Sequence, residues 1–357
     1  MASLKPDRQM NPRSPDASTR MTTGLNILVT AASRRVPLIR AFQDALKSSG
    51  IRGRVVVTDV NPLSPAVHAA ERWYHVPLAT APDYLDAISA ICEREHIGLI
   101  IPTIDDELEL FGAAAHSFEA RGIKVAVSPE ETSRICNDKL LTCQHLRAKG
   151  VRAAATYLPS ELPKGIRFPL FIKPRGGRGS VGAYPIHAEK DLAFFVEYVQ
   201  NPVVQEYLDG PEFTIDVLCD FRHRPISIVP RERVVIRAGV IDRGRTVHDR
   251  QLIELGRAVT QALPCAGAIN IQCRVVNGDP VVFEINPRFS GGIPLTIASG
   301  ADFPRYLVDL ALGRAVPARI GRFRDQLWMT SYEASIFVDA EELATGRKPP
   351  IAIGVVA

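Results

Sequence analysis

Four glycines fall within seven residues of the stretch Arg175-Gly-Gly-Arg-Gly-Ser-Val-Gly-Ala183, at Gly176, Gly177, Gly179 and Gly182. Glycine lets a backbone approach an anion closely and turn successive N–H groups toward it. Arg175, Arg178 and Ser180 add side-chain donors. The pattern predicts a flap over phosphates, with a mobile hairpin turn as the alternative. It is not the loop that ends in Gly-Lys-Ser/Thr. Just upstream, Lys173 closes the apolar run Phe171-Ile172. Burying its ammonium is costly without a partner, and a nucleotide phosphate would be one. A strand-end lysine with its head in water is the other reading. Lys139, in Asn137-Asp138-Lys139 at the head of an apolar helix run, is a weaker candidate of the same kind.

A second group lies in Phe283-Glu-Ile-Asn-Pro-Arg288. Strand alternation puts Glu284 and Asn286 on one face and Phe283 and Ile285 on the other. Upstream, Asn270 and Gln272 alternate in the same way around Ile271, and Asn277-Gly278 between the two segments is a hairpin signal. Pairing across that turn would bring a carboxylate and amides together, an oxygen-rich set suited to Mg²⁺ shared with substrate phosphates. Arg288 could then reach a phosphoryl group. A solvated polar sheet face is the alternative. A third segment, Gln205-Glu-Tyr-Leu-Asp-Gly-Pro-Glu212, reads as a short strand, a tight turn and a carboxylate. Its backbone could pair with a purine edge and Glu212 could accept from ribose hydroxyls. By itself it is equally an ordinary edge strand.

The elements that must position these residues fall into two textures. Strand patterns at 26–30, 54–59, 98–103 and 124–127 alternate with helical patterns at 36–47, 84–95 and 106–121. That order predicts a doubly wound parallel sheet, with ligands beyond the carboxyl ends of its strands. The loop 31–35 has no glycine, which removes the dinucleotide-binding reading. Past residue 130 the alternation breaks. One helix is expected over 131–149, then a strand at 168–174, a helix at 189–200, and strands at 203–207, 212–219, 225–229, 233–237, 267–275 and 280–285. A helix over 249–263 completes an α+β half. The expected division is a disordered leader at 1–23, an α/β domain at 24–130, a second domain at 131–318 with a small lobe near 150–205, and a C-terminal segment at 319–357.

Composition excludes several classes. The chain has 357 residues, 46% of them hydrophobic and 23% charged, which is a globular balance rather than a disordered one. A net charge of only +4 does not call for nucleic acid or an anionic membrane. No apolar run reaches the roughly 20 residues of a membrane helix. The six cysteines form no C-x-x-C pair and are expected as reduced, buried thiols of a cytoplasmic protein. The first 23 residues are polar, without the apolar core of a secretory signal.

Taken in order, Asp138-Lys139, Phe171-Ile-Lys-Pro174 with its glycine stretch, the 205–212 segment, Asn270-Ile-Gln272 and Glu284-Ile-Asn-Pro-Arg288 resemble the ATP-grasp superfamily. The flavour is similar to the carbamoyl-phosphate-synthetase large subunit and to stand-alone amino-acid ligases. The resemblance covers residues 25–315 or so, the α/β half looking like a pre-ATP-grasp domain and the rest like a two-lobed ATP-grasp domain. It implies that Lys139 and Lys173 contact ATP phosphates and that Gly176, Gly177, Gly179, Ser180 and Gly182 form the flap. It implies an adenine hinge at Glu206, Tyr207 and Leu208, with Glu212 on the ribose. Gln272, Glu284 and Asn286 would hold Mg²⁺, with Mn²⁺ as the substitute, and Arg288 would steady the transferring phosphoryl group. Gln272 stands where many members carry a second acid.

The implied reaction is ATP-dependent joining of a small carboxylate and an amine through an acyl phosphate, releasing ADP and phosphate. Arg233, Arg237 and Gly239 are expected to line the acceptor pocket. Asp105, Asp106 and Glu107 are candidates for binding an amine, but they fit the acidic first turn of a helix better. A homodimer is implied by resemblance only. Two other readings stay open: a modifier of peptides or other macromolecules, and an ATP-binding regulator without catalysis.

Overall fold

The computed structural model describes residues 24–177, 179 and 181–345. Arg178, Ser180, the 1–23 leader and the last twelve residues lie outside them. The amino-terminal half runs β1 (Asn26–Val29), α1 (Val36–Ser48), β2 (Val55–Asp59), α2 (Pro65–Ala69), β3 (Arg72–His75), α3 (Tyr84–Arg94), β4 (Ile97–Ile101), α4 (Asp105–Ala120) and β5 (Lys124–Val125). The strands form a parallel sheet ordered β3-β2-β1-β4-β5. Their apolar runs are explained by burial on both faces. Ile27, Val29, Val55, Val57, Leu99 and Ile101 enter one core, while Leu28, Val56 and Ile100 enter the core on the opposite face. The strand order reverses between β1 and β4, so the loops that follow those strands flank the crevice where such sheets bind ligands.

The second half continues with α5 (Glu130–Asn137), α6 (Lys139–Ala148), β6 (Thr156–Tyr157), β7 (Leu170–Pro174), β8 (Tyr184–Ile186), α7 (Glu189–Tyr198) and β9 (Pro202–Glu206). Strands β6-β9-β7-β8 make a small antiparallel sheet over its own core of Leu170, Ile172, Ile186, Val199 and Val204. Then come β10 (Glu212–Cys219), β11 (Pro225–Arg237), β12 (Val240–Thr246), α8 (Arg250–Ala262), β13 (Gly267–Val276), β14 (Asp279–Asn286), α9 (Ile293–Ala298), α10 (Phe303–Ala311), β15 (Trp328–Thr330) and α11 (Ala340–Thr345). Six of these strands form an antiparallel sheet ordered β14-β13-β10-β11-β12-β15.

Several expectations are corrected. The helix expected over 131–149 is two helices. Asp138 between them is extended, and its Oδ1 accepts from the N–H groups of Leu140 and Leu141. A short carboxylate that caps a new helix competes with continuing the old one. The segments 225–229 and 233–237 are one strand, β11. The sequence pattern does not signal strands β3, β6, β8, β12 and β15. Val240-Ile-Asp-Arg-Gly-Arg-Thr246 carries charges and a glycine, and only pairing with β11 and β15 makes it a strand.

One core crosses between the halves. Phe289, Ile293, Phe303, Leu307 and Val308 pack with Ile39 and Phe42 of α1, and the Phe42 and Phe289 rings meet edge-on at 5.9 Å. All six cysteines are free and buried. No described helix is long and apolar enough to cross a membrane.

Candidate nucleotide and ligation site

The six-stranded sheet presents two different faces. Ile285, Ile271 and Ile215 lie side by side across β14, β13 and β10 and join the core beneath α6 and α8. The residues between them point the other way. Glu284 pairs with Gln272, Gln272 with Thr214, and Thr214 with Arg231, making one polar row over four strands. Asn286, Asn270 and Asp216 make the next row. The expected pairing of Asn270 and Gln272 against Asn286 and Glu284 is thus present, and strand alternation alone produces it.

Lys173, the next-to-last residue of β7, faces this polar surface from the small sheet. It is buried, donates to the Phe283 carbonyl at 3.3 Å, and lies 5.1 Å over the Phe283 ring. Burial pulls its pKa from 10.5 down to about 8, while Glu284 and Glu212 pull it back up and Lys139 lowers it further. Two buried ammonium groups near each other need an anion. Lys139 is also buried, and it donates to the Gly177 carbonyl of the glycine stretch at 2.9 Å. Arg175 ties the root of that stretch to Asp138 at 2.7 Å. Gly177, Gly179 and Gly182 all have positive φ, which explains why glycine occupies these positions. Ser180 lies outside the described residues, and Gly176 sits at the root beside Asn137.

The hinge residues divide. Glu206 spends its carboxylate on the Ala155 N–H at 2.8 Å and its own N–H on the Ala155 carbonyl at 3.0 Å. Leu208 is buried in the core beside β10, and Tyr207 is exposed. Only backbone groups of this segment are therefore suited to a purine. Glu212 forms ion pairs of 2.8 Å with both Arg233 and Arg274.

Arg233 is buried. Its Nη1 pairs with Glu212 and reaches Gln272 Oε1 at 3.3 Å, so it belongs to the wall that carries Glu212 and Gln272. Its Nη2 donates to the Gly239 carbonyl at 2.7 Å. Burial lowers its pKa, with Glu212 opposing the shift. Arg237 does not join it; this side chain is 61% exposed and pairs with Asp242 and Glu333. Gly239, with φ +74°, sits in the turn between β11 and β12, where an added Cβ would fall 3.0 Å from the Gly179 backbone. That turn therefore meets the glycine flap.

Arg288 points at the amino-terminal half. Its Nε and Nη2 donate to the two oxygens of Asp105 at 2.9 and 2.8 Å, across 183 residues of sequence. Nη2 also reaches Asn286 Oδ1 at 3.0 Å, and Asn286 Nδ2 reaches Glu284 Oε1 at 3.1 Å. Asn270 fastens the turn by donating to the carbonyls of Asn286 and Arg288. Glu107, by contrast, caps its own helix: it accepts from the Thr103 and Ile104 N–H groups and from Tyr84. Burial holds Glu107 above the usual carboxylate range.

Of Gln272, Glu284 and Asn286, Glu284 offers a carboxylate, while the Gln272 oxygen accepts from Arg233 and the Asn286 oxygen from Arg288, so both amides must turn to serve a metal. Among the described residues no three His, Cys, Asp or Glu converge as a metal cage. The donor set fits Mg²⁺ carried in on phosphates, a hard ion that keeps oxygen ligands from its substrate. Two contacts escaped the sequence: that of Asp105 with Arg288, and that of Arg274 with Glu212. Neither has a local signal, since both depend on contacts between distant segments.

Residues 199–333 match the family described as ATP-grasp in the biosynthetic pathway with Ter operon, and residues 27–126 match the PylC-like N-terminal domain. The chain therefore carries an ATP-grasp domain and a PylC-like N-terminal domain. It is 24% identical over 298 residues to the carbamoyl phosphate synthase large chain of Caldanaerobacter subterraneus, covering 76% of this chain. It spans about a quarter of that relative's length (26%). The 3-methyl-D-ornithine–L-lysine ligase of Methanosarcina acetivorans is 25% identical over 266 residues, with 72% of this chain and 67% of the ligase covered. Among solved structures, the L-amino acid ligase from Bacillus licheniformis superposes with a TM-score of 0.67 at 18% identity, covering 91% of this chain and 85% of that one. That likeness is one of fold.

Proposed function

We propose that the protein is an ADP-forming ligase that joins a small carboxylic acid to an amine, with amino acids as the substrate class. The observation that carries this reading is the pair of buried ammonium groups, Lys139 and Lys173, set beneath a glycine flap and opposite Glu284. Such a pair suits a polyphosphate. In this reading residues 24–130 form the pre-ATP-grasp unit and 131–318 the ATP-grasp unit. The adenine lies against the backbone at 206–208 and the ribose against Glu212. The likeness to an amino-acid ligase fold and to a lysine-adding ligase supports amino acids as substrates.

Lys139 and Lys173 hold the β- and γ-phosphates in line with a substrate carboxylate, since phosphoryl transfer needs position and charge more than covalent chemistry. The carboxylate oxygen attacks the γ-phosphorus, the bond to the β-phosphate oxygen breaks, and ADP leaves. Arg288 faces the acyl phosphate that results. The neutral amine then attacks the carbonyl carbon, phosphate departs with the C–O electron pair, and the ammonium nitrogen loses a proton to form the amide. Mg²⁺ would be held by Glu284, with the Asn286 and Gln272 amides reoriented from Arg288 and Arg233, and would supply further charge neutralisation at the phosphates. The flap at Gly177 and Gly179 excludes water from an intermediate that would otherwise hydrolyse.

Phosphorus NMR of the protein with Mg-ATP and a pool of amino acids and small acids tests this. ADP and phosphate growing only when the pool is present is the expected result, and Glu284→Ala should abolish it. AMP and pyrophosphate would refute the acyl-phosphate route. Bound ATP with no turnover from any pool would favour a regulatory role.

A further inference from the structure

We infer that Asp105 is a positioning residue that keeps the Arg288 guanidinium off the metal-binding carboxylate Glu284. The inference rests on the nucleotide-site reading above and concerns a residue from the other half of the chain. Arg288 follows Asn286 by a tight turn in which its N–H donates to the Asn286 carbonyl at 2.8 Å. The side chain therefore starts beside the strand that carries Glu284. A relay runs from Asp105 through Arg288 and Asn286 to Glu284, each link a hydrogen bond of 2.8 to 3.1 Å. The next carboxylate along it after Asp105 is Glu284 itself.

Asp105 takes the guanidinium in the two-pronged geometry that carboxylates and guanidinium groups prefer. Both side chains are mostly buried, at 13% and 15% exposure, so solvent screens the pair little. Asp105 is fixed in turn, because its carbonyl accepts from Asn137 Nδ2 at 3.1 Å at the foot of the helix pair that carries Lys139. With Arg288 neutralised from the far side, Glu284 keeps its charge for the metal. Asn286 is also turned so that its amide donates to Glu284 and its oxygen faces Arg288. Take away the Asp105 charge, and the guanidinium's best remaining partner is Glu284, which would then be closed to Mg²⁺. Asp105 is thereby committed to Arg288 rather than to a substrate amine.

The test is Asp105→Asn in the full chain, with Asp105→Glu as the conservative variant. Calorimetry follows ADP binding without metal, and water-proton relaxation follows Mn²⁺ binding to the protein–ADP complex. In Asp105→Asn, metal-free ADP affinity is expected to stay within twofold, Mn²⁺ affinity to fall roughly tenfold, and Asp105→Glu to recover most of it. The Mg²⁺ concentration for half-maximal turnover should rise in parallel. Unchanged Mn²⁺ affinity in Asp105→Asn overturns the inference. So does an equal loss of metal-free ADP binding, which would mark a merely structural role. A wild type that binds Mn²⁺–ADP but ligates nothing refutes the ligase reading and leaves this one standing.

Discussion

Replacing Lys173 by Met should stabilise the empty protein while disabling it. The pKa of Lys173 falls from its ordinary 10.5 to about 8 because the ammonium is buried. Each tenfold change in proton affinity is worth about 1.4 kcal/mol, so carrying the charge at pH 7 costs the fold roughly 3 kcal/mol. Met fills similar space without the charge. It leaves the Phe283 carbonyl without its donor, which returns about 1 kcal/mol. The net gain expected in Lys173→Met is therefore about 2 kcal/mol at pH 7, read from urea midpoints. The pH dependence follows from the same shift. Between pH 8 and 10.5 the unfolded wild type still holds the proton that the folded form has lost, so wild-type stability rises across that window. The advantage of Lys173→Met should shrink accordingly, be gone at about pH 10 and reverse above it. ATP affinity should drop roughly 10- to 100-fold, the worth of one charge-assisted hydrogen bond. A variant less stable than wild type at pH 7, or one that binds ATP normally, would refute the reasoning.

Two further perturbations probe the scaffold. Asp216 and Arg231 form an ion pair in which each side chain is 1% exposed, so Asp216→Asn should cost about 3 to 5 kcal/mol by leaving a buried cation unpaired. Replacing both partners by Leu and Met should restore most of that loss in the same denaturation assay. Gly239→Ala places a Cβ 3.0 Å from the Gly179 backbone at a φ of +74°, so the flap can no longer seat on the β11–β12 turn. Stopped-flow and steady-state assays should show turnover lowered roughly tenfold with ADP affinity nearly unchanged.

Much of the site was legible because it sits on strands. Glu284 and Asn286, and Gln272 and Asn270, are fixed on one face by the two-residue period, and Asn277-Gly278 sets their register. The parallel sheet was legible for the same reason, since strands buried on both faces must be apolar throughout. Legibility failed where polar residues change role by context. Asp138 reads as one more helical residue, yet its carboxylate starts a new helix and anchors Arg175. Arg233 and Arg237 look alike in sequence. One is buried against Glu212 and the other is exposed beside Asp242, because β11 shifts register between Arg233 and Val235.

The sequence by itself determined which residues could share a strand face, which loop could admit phosphates and which half would be a parallel sheet. These follow from local periodicity and from the freedom of glycine. Only the tertiary structure decided where the charges are spent. Arg288 meets Asp105 across 183 residues, Lys173 is buried opposite Glu284, and Glu212 is held by two arginines from neighbouring strands. A charge acts through space and through the burial of its surroundings, and neither distance nor burial is written in the spacing of residues along the chain.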